Sequence, residues 1–159
     1  MTPEISPDNR IELEKRYSAT RLIVIFQILT VIALVGAAWF LAQRSENSIT
    51  NQSLTTLWVA VLFIAIGTFL VRRLLFNWER LKNTALLKGI KGLIQTLQTN
   101  SILLGVFGEM VAILGFLIAV LAGNKWEMFR AGAIALVVFL ANFPRKSTWE
   151  KIVANLEKI

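Results

Sequence analysis

The chain alternates between long apolar runs and short polar interruptions, and the run lengths decide the architecture. Leu22 to Ala42 is uncharged over 21 residues, and Leu54 to Val71 over 18. Ile102 to Gly123 covers 22 residues with one charge, Glu109, and Trp126 to Phe143 carries only Glu127 and Arg130, both near its start. About 20 apolar residues of helix cross the hydrocarbon core of a bilayer. The pattern therefore predicts four transmembrane helices at about 22–42, 54–72, 102–123 and 126–143, with Arg130 snorkelling to an interface.

The segments between the runs predict how the spans connect. QRSENSITNQS joins the first two and Gly123-Asn124-Lys125 the last two, so each pair is expected to form an antiparallel hairpin. The middle connection is longer, about Arg72 to Asn100. In it Leu86, Ile90, Leu93 and Leu97 recur at helical spacing opposite Lys88, Lys91, Gln95 and Gln98. Residues 79–98 thus read as an amphipathic helix, suited to the headgroup region or to packing under the bundle. Thr99, Asn100 and Ser101 are candidate caps where the third span begins.

At the N-terminus Ser6-Pro7-Asp8 reads as a helix start, with proline at the first position. The apolar run after it is too long for a signal peptide, and no small-residue cleavage site follows. After Pro144, Ser147-Thr148-Trp149-Glu150 has the capping-box pattern, followed by a stripe of Trp149, Ile152, Val153 and Leu156. Residues 147–158 should form a second amphipathic helix on the membrane surface, with Lys151 and Lys158 facing anionic lipid. The fold class expected is all-α: one integral membrane domain over residues 1–159, an antiparallel bundle of four transmembrane helices with amphipathic surface helices.

Composition agrees. Apolar residues make up 55% and mean hydropathy is +0.61, a surplus that 159 residues cannot bury in a soluble core. Cysteine and histidine are absent, which removes thiol chemistry, disulfides and the commonest metal ligand. The net charge of +7 is a matter of placement. Fourteen of the 17 Lys and Arg fall in the N-terminal segment, the middle connection and the tail; the other side has only Arg44, Lys125 and Arg130. Positive loops stay inside, so both termini are expected in the cytoplasm, in the cytoplasmic (inner) membrane of a bacterium. No basic domain suited to nucleic acid remains. Trp39, Trp58, Trp78, Trp126 and Trp149 all fall near span ends, where interfacial anchoring accounts for them.

Chemistry concentrates in the third span. Gly105, Gly108, Ala112, Gly115, Ala119 and Ala122 recur at steps of three and four, a seam along which another helix can approach closely. Ala33, Gly36 and Ala37 of the first span offer a partner surface. Glu109 lies beside the seam, about 10 Å from the cytoplasmic end of its span at 1.5 Å per residue. Gln27 has a similar depth in the first span; Asn142 is shallower in the fourth, and Arg145 follows it. These four residues are the candidate polar site. Two readings stand: a carboxylate held by hydrogen bonds to Gln27 or Asn142 or paired with Arg145, or a proton or cation site. No nucleophile with a base, no paired carboxylates at a pocket and no phosphate loop are found, so neither enzyme activity nor a cofactor is expected.

The stretches GEMVAILGFLIAVLAGN and VVFLANFPRK resemble a family of small bacterial four-span membrane proteins to which no activity is assigned. The likeness covers roughly residues 101–146, with Glu109, Gly115, Pro144 and Arg145 as the family-like positions. The same third span also resembles the carboxylate helix of the rotor proteolipids of rotary ATPases, whose duplicated forms have four spans. That resemblance would make Glu109 an ion-carrying group. Against it, the glycine-rich partner helix is missing, Glu109 is shallow, and the basic connections lie between the hairpins. Ala33-Leu34-Val35-Gly36 matches Ala112-Ile113-Leu114-Gly115, as an old duplication would leave. The expected role is a non-enzymatic small membrane subunit or accessory protein, alone as a homo-oligomer or in a larger complex. The alternative is a proton- or cation-coupled transport component working through Glu109.

Overall fold

The structure, a computed structural model, describes residues 5–42 and 51–158. Residues 43–50 of the first connection, including Arg44, lie outside them. The element order is α1 (Pro7–Leu41), α2 (Asn51–Leu75), α3 (Trp78–Ala122), α4 (Lys125–Asn142) and α5 (Lys146–Leu156). Among the described residues, four helices are long and apolar enough to cross a membrane. The chain is a membrane protein with an all-α, four-helix arrangement.

Direction follows from constant sequence offsets. Arg16 meets Gln98 and Gln27 meets Glu109, each pair 82 residues apart, so α1 and α3 run parallel. Trp58 meets Glu127 and Arg72 meets the Ala141 carbonyl, each pair 69 apart, so α2 and α4 run parallel as well. Successive helices therefore alternate in direction, as short polar connections require. The turn between α3 and α4 is made by Gly123 at φ 61°, a left-handed conformation that glycine adopts without Cβ strain, and by Asn124, which accepts from the Trp126 N–H.

The seam forms as its spacing predicts: Gly105, Gly108, Ala112, Gly115 and Ala119 are buried, and Ala122 is half-buried. A Cβ on Gly108 would lie 2.8 Å from the Phe139 ring, and one on Gly115 would overlap the Ala131 methyl. The seam's main partner is thus α4. The surface expected on α1 is different from the one used. Ala33 and Gly36 are exposed, with nothing within 4 Å of a Cβ on Gly36, and α1 packs instead through Val24, Gln27, Val31 and Ala38. Helices in lipid choose the face that fits by shape, and the β-branched and small residues of that face interdigitate.

Beyond the spans the bundle continues. With 35 residues α1 is about 52 Å long, against a hydrocarbon core of about 30 Å. The second arm of α3, residues 90–122, is similarly overlong. The overhangs meet α5 and the first arm of α3 in a second core of Leu13, Leu81, Leu93, Ile94, Leu97, Trp149, Val153 and Leu156, separate from the core of the spans. Gly89, at φ 68° and ψ 179°, breaks α3 so that both of its arms contribute.

This second core revises several expectations. The amphipathic segments are helical, but Leu93, Leu97 and Val153 face protein, the packing alternative for the middle segment; Leu86, on the other arm, is exposed. Trp149 is 1% exposed and edge-on to Tyr17, a core residue and no interfacial anchor. Ser147 and Thr148 do not cap α5, which already starts at Lys146 with Arg145 at the N-cap and no side-chain cap bond. Nor do Thr99, Asn100 and Ser101 cap a span, because α3 passes straight through them. Asn100 instead donates to the Leu75 carbonyl at 3.0 Å, satisfying an end of α2. The helix start at Pro7 is as predicted.

The two termini are clasped. The Glu157 carboxylate accepts from the Ser6 N–H at 3.2 Å and from Asn9 Nδ2 at 2.8 Å. Lys146 pairs with Glu14 at 2.9 Å, and Arg16 bonds both Glu12 and Gln98. Burial opposes the charge on Glu157, but the bonds from Ser6 and Asn9 outweigh it and hold the carboxyl below the usual range.

Candidate functional site

The candidate polar site is built on two parallel helices. On α1, Gln27 sits between Val24 and Val31, all three buried, so its amide must enter the bundle. On α3, Gly105 faces it. A Cβ there would overlap Gln27 Oε1, so the missing side chain is what admits the amide. One turn further, Glu109 is half-buried, and its Oε2 accepts from Gln27 Nε2 at 3.5 Å. This is a long contact for a bond to a charged acceptor, which is usually about 2.7–2.9 Å.

The structure brings together two of the four candidates. Asn142 is buried, but its Nδ2 donates to the Val138 carbonyl of its own helix at 2.7 Å. Arg145 is exposed, sits at the N-cap of α5, and makes no ion pair among the described residues. Glu109 likewise has no cationic partner among them. Lys146, the next residue, takes the acidic partner, Glu14.

Among the described residues, two buried side-chain oxygens have no donor: Gln27 Oε1 and Asn142 Oδ1. A buried acceptor without a partner costs on the order of 1–3 kcal/mol, so each is a place where a donor is favoured. At Gln27 the geometry couples this to Glu109. With the carboxylate charged, the amide must turn its N–H toward it and leave Oε1 facing Gly105. With the carboxyl protonated, its O–H can donate to Oε1 and the amide turns over. A cation held between the two oxygens would have the same effect. No cluster of acidic side chains suited to a metal ion occurs among the described residues.

Other polar contacts were not legible in the sequence. Trp58 donates its indole N–H to Glu127 at 3.0 Å, the guanidinium of Arg72 caps the carbonyl of Ala141, and Thr68 bonds back to Ile64. The first two need the rotation of one helix relative to another, whereas the Thr68 bond lies within α2. The only sequence signal was the shared depth of Trp58 and Glu127 at one end of their spans.

Comparison of the chain with protein-family models, with curated proteins and with solved structures finds no match.

Proposed function

We propose that the protein is a non-enzymatic subunit or accessory protein of the bacterial cytoplasmic membrane, inserted with both termini in the cytoplasm. The observation that carries this reading is the closure of the third span against the fourth. Phe139 fills the space over Gly108, and Ala131 lies against Gly115, so α3 and α4 are in direct contact at both of these levels, on either side of Glu109 and Ala112. The outer faces of α1 and α2 are apolar and uncovered, with Phe26 71% and Phe63 77% exposed. Lipid, a second copy or a larger complex fits them. The excess of basic residues around the second core supports the orientation. The test is purification in mild detergent with mass spectrometry of what co-purifies. A stoichiometric partner, or a defined multiple of 17.8 kDa, is the expected result. A monomer without partners would count against it.

A second reading is favoured by the unpartnered Gln27 Oε1 beside Glu109: a proton- or cation-coupled component in which Glu109 exchanges the ion. The protein in liposomes carrying a pH-sensitive dye should then show flux that Glu109→Gln abolishes while the fold is kept. Equal flux in both proteins would end this reading.

A further inference from the structure

We propose that the end of the bundle opposite the termini holds one glycerophospholipid between α2 and α4, its phosphodiester on Arg130 and an acyl chain against Leu54 and Ala122. A cavity of about 470 Å³ opens there, with Leu54 and Ala122 as an apolar floor above the buried Ile118, and with Asn124, Glu127 and Arg130 at the rim. The rim is braced. The Glu127 carboxylate receives the Trp58 indole N–H at 3.0 Å, Arg130 at 3.1 Å and Asn124 at 3.5 Å.

The side chain of Glu127 is only 15% exposed, whereas that of Arg130 is 69% exposed. Glu127 therefore acts as a support that engages one edge of the guanidinium from behind. The rest of a five-donor fork faces outward, always charged and matched in shape to two phosphate oxygens. Glu127 already holds three donors, so an anion approaches Arg130 from the open side, away from the carboxylate.

Depth and floor select a lipid over a soluble anion. Arg130 is the sixth residue of α4, about 8 Å along it at 1.5 Å per residue. Trp126 and Phe129 beside it are exposed, as residues at a headgroup boundary are. A free phosphate would use the guanidinium alone. A phospholipid uses the guanidinium and the apolar floor together.

The experiment uses the full chain, delipidated in mild detergent and titrated in native mass spectrometry with phosphatidylglycerol, diacylglycerol or inorganic phosphate. Phosphatidylglycerol is expected to give a one-to-one adduct, with diacylglycerol at least about tenfold weaker and inorganic phosphate giving none at equal concentration. Arg130→Gln should weaken the adduct about tenfold, and Arg80→Gln, exposed at the other end of the bundle, should leave it unchanged. Ala122→Phe keeps the Glu127–Arg130 pair and fills the floor, so it should also lose the adduct; it stands as the test if Arg130→Gln does not fold. Equal phospholipid binding by the wild type and the folded variants would overturn the proposal. So would diacylglycerol binding as tight as that of phospholipid, or inorganic phosphate binding that matches it.

Discussion

A methyl group on Gly105 would overlap the side-chain oxygen of Gln27, so the bare glycine is what admits the amide beside Glu109. Gly105→Ala is expected to cost about 1–3 kcal/mol by overpacking, measured as thermal stability in detergent. Gln27→Ala in the same protein should recover part of the loss, since it removes the group the methyl strikes; full additivity in the double-mutant cycle would show that the two do not touch. Glu109 behaves differently. Among the described residues its one hydrogen bond, with Gln27, is long, and Arg145 makes no ion pair with it. Glu109→Gln should therefore change stability by less than about 1 kcal/mol, and it should show no coupling to Arg145→Gln beyond about 0.5 kcal/mol. Strong coupling would restore the ion pair that the sequence allowed. Depth counting along each span made Gln27 and Glu109 legible as neighbours. It could not exclude Asn142, because depth says nothing about whether an amide turns inward or bonds back to its own helix.

Among the helices, the third span is the one most enclosed, and its glycines differ in what surrounds them. Gly115 touches Ala131, while Gly36 on α1 has open space around it. Gly115→Ala should lower the melting temperature, and Gly36→Ala should leave it unchanged or raise it slightly, since alanine is the better helix former. Equal effects would mean that the α3–α4 contact is loose. The second core makes its own prediction. Trp149→Ala removes a side chain 1% exposed, and a loss of about 3–5 kcal/mol is expected there. Hydrogen exchange should report it in α5 and the first turns of α1, with the spans little changed. The clasp at Glu157 adds a pH dependence. Its carboxyl is held below the ordinary range in the folded chain, so its stabilising effect is present above the unfolded value of about 4.3. It is lost as the pH falls through the lower folded value. Protection of the first-turn amides of α1, measured against their intrinsic exchange rates, should therefore fall on acidification, and Glu157→Gln should remove that dependence.

For the molecule as a whole, insertion is the property to test. The basic residues cluster at the end of the bundle where α1 begins and α5 packs, and the charge rule puts that end in the cytoplasm. The chain has no cysteine, so single cysteines can be introduced at will. One at Asn47 should react with an impermeant maleimide in intact cells, and one at Lys158 should react only after lysis. The opposite pattern would invert the molecule, and with it the side on which the Arg130 groove opens.

What the sequence determined by itself is what lipid demands residue by residue: the number of spans, the alternating direction of the helices and the small-residue seam. Run length, charge and spacing are local quantities, and the bilayer imposes the same requirement on every segment that enters it. What only the tertiary structure decided is which faces meet. Leu93, Leu97, Trp149 and Val153 have the same amphipathic spacing whether their apolar side lies in headgroups or against another helix. The overhang of α1 and the bend at Gly89 bring these stripes together, so protein covers them. The same holds for α1, where Gln27 enters the bundle and Gly36 does not. Helix rotation is set by shape complementarity summed over several partners, and no single stretch of sequence contains that sum.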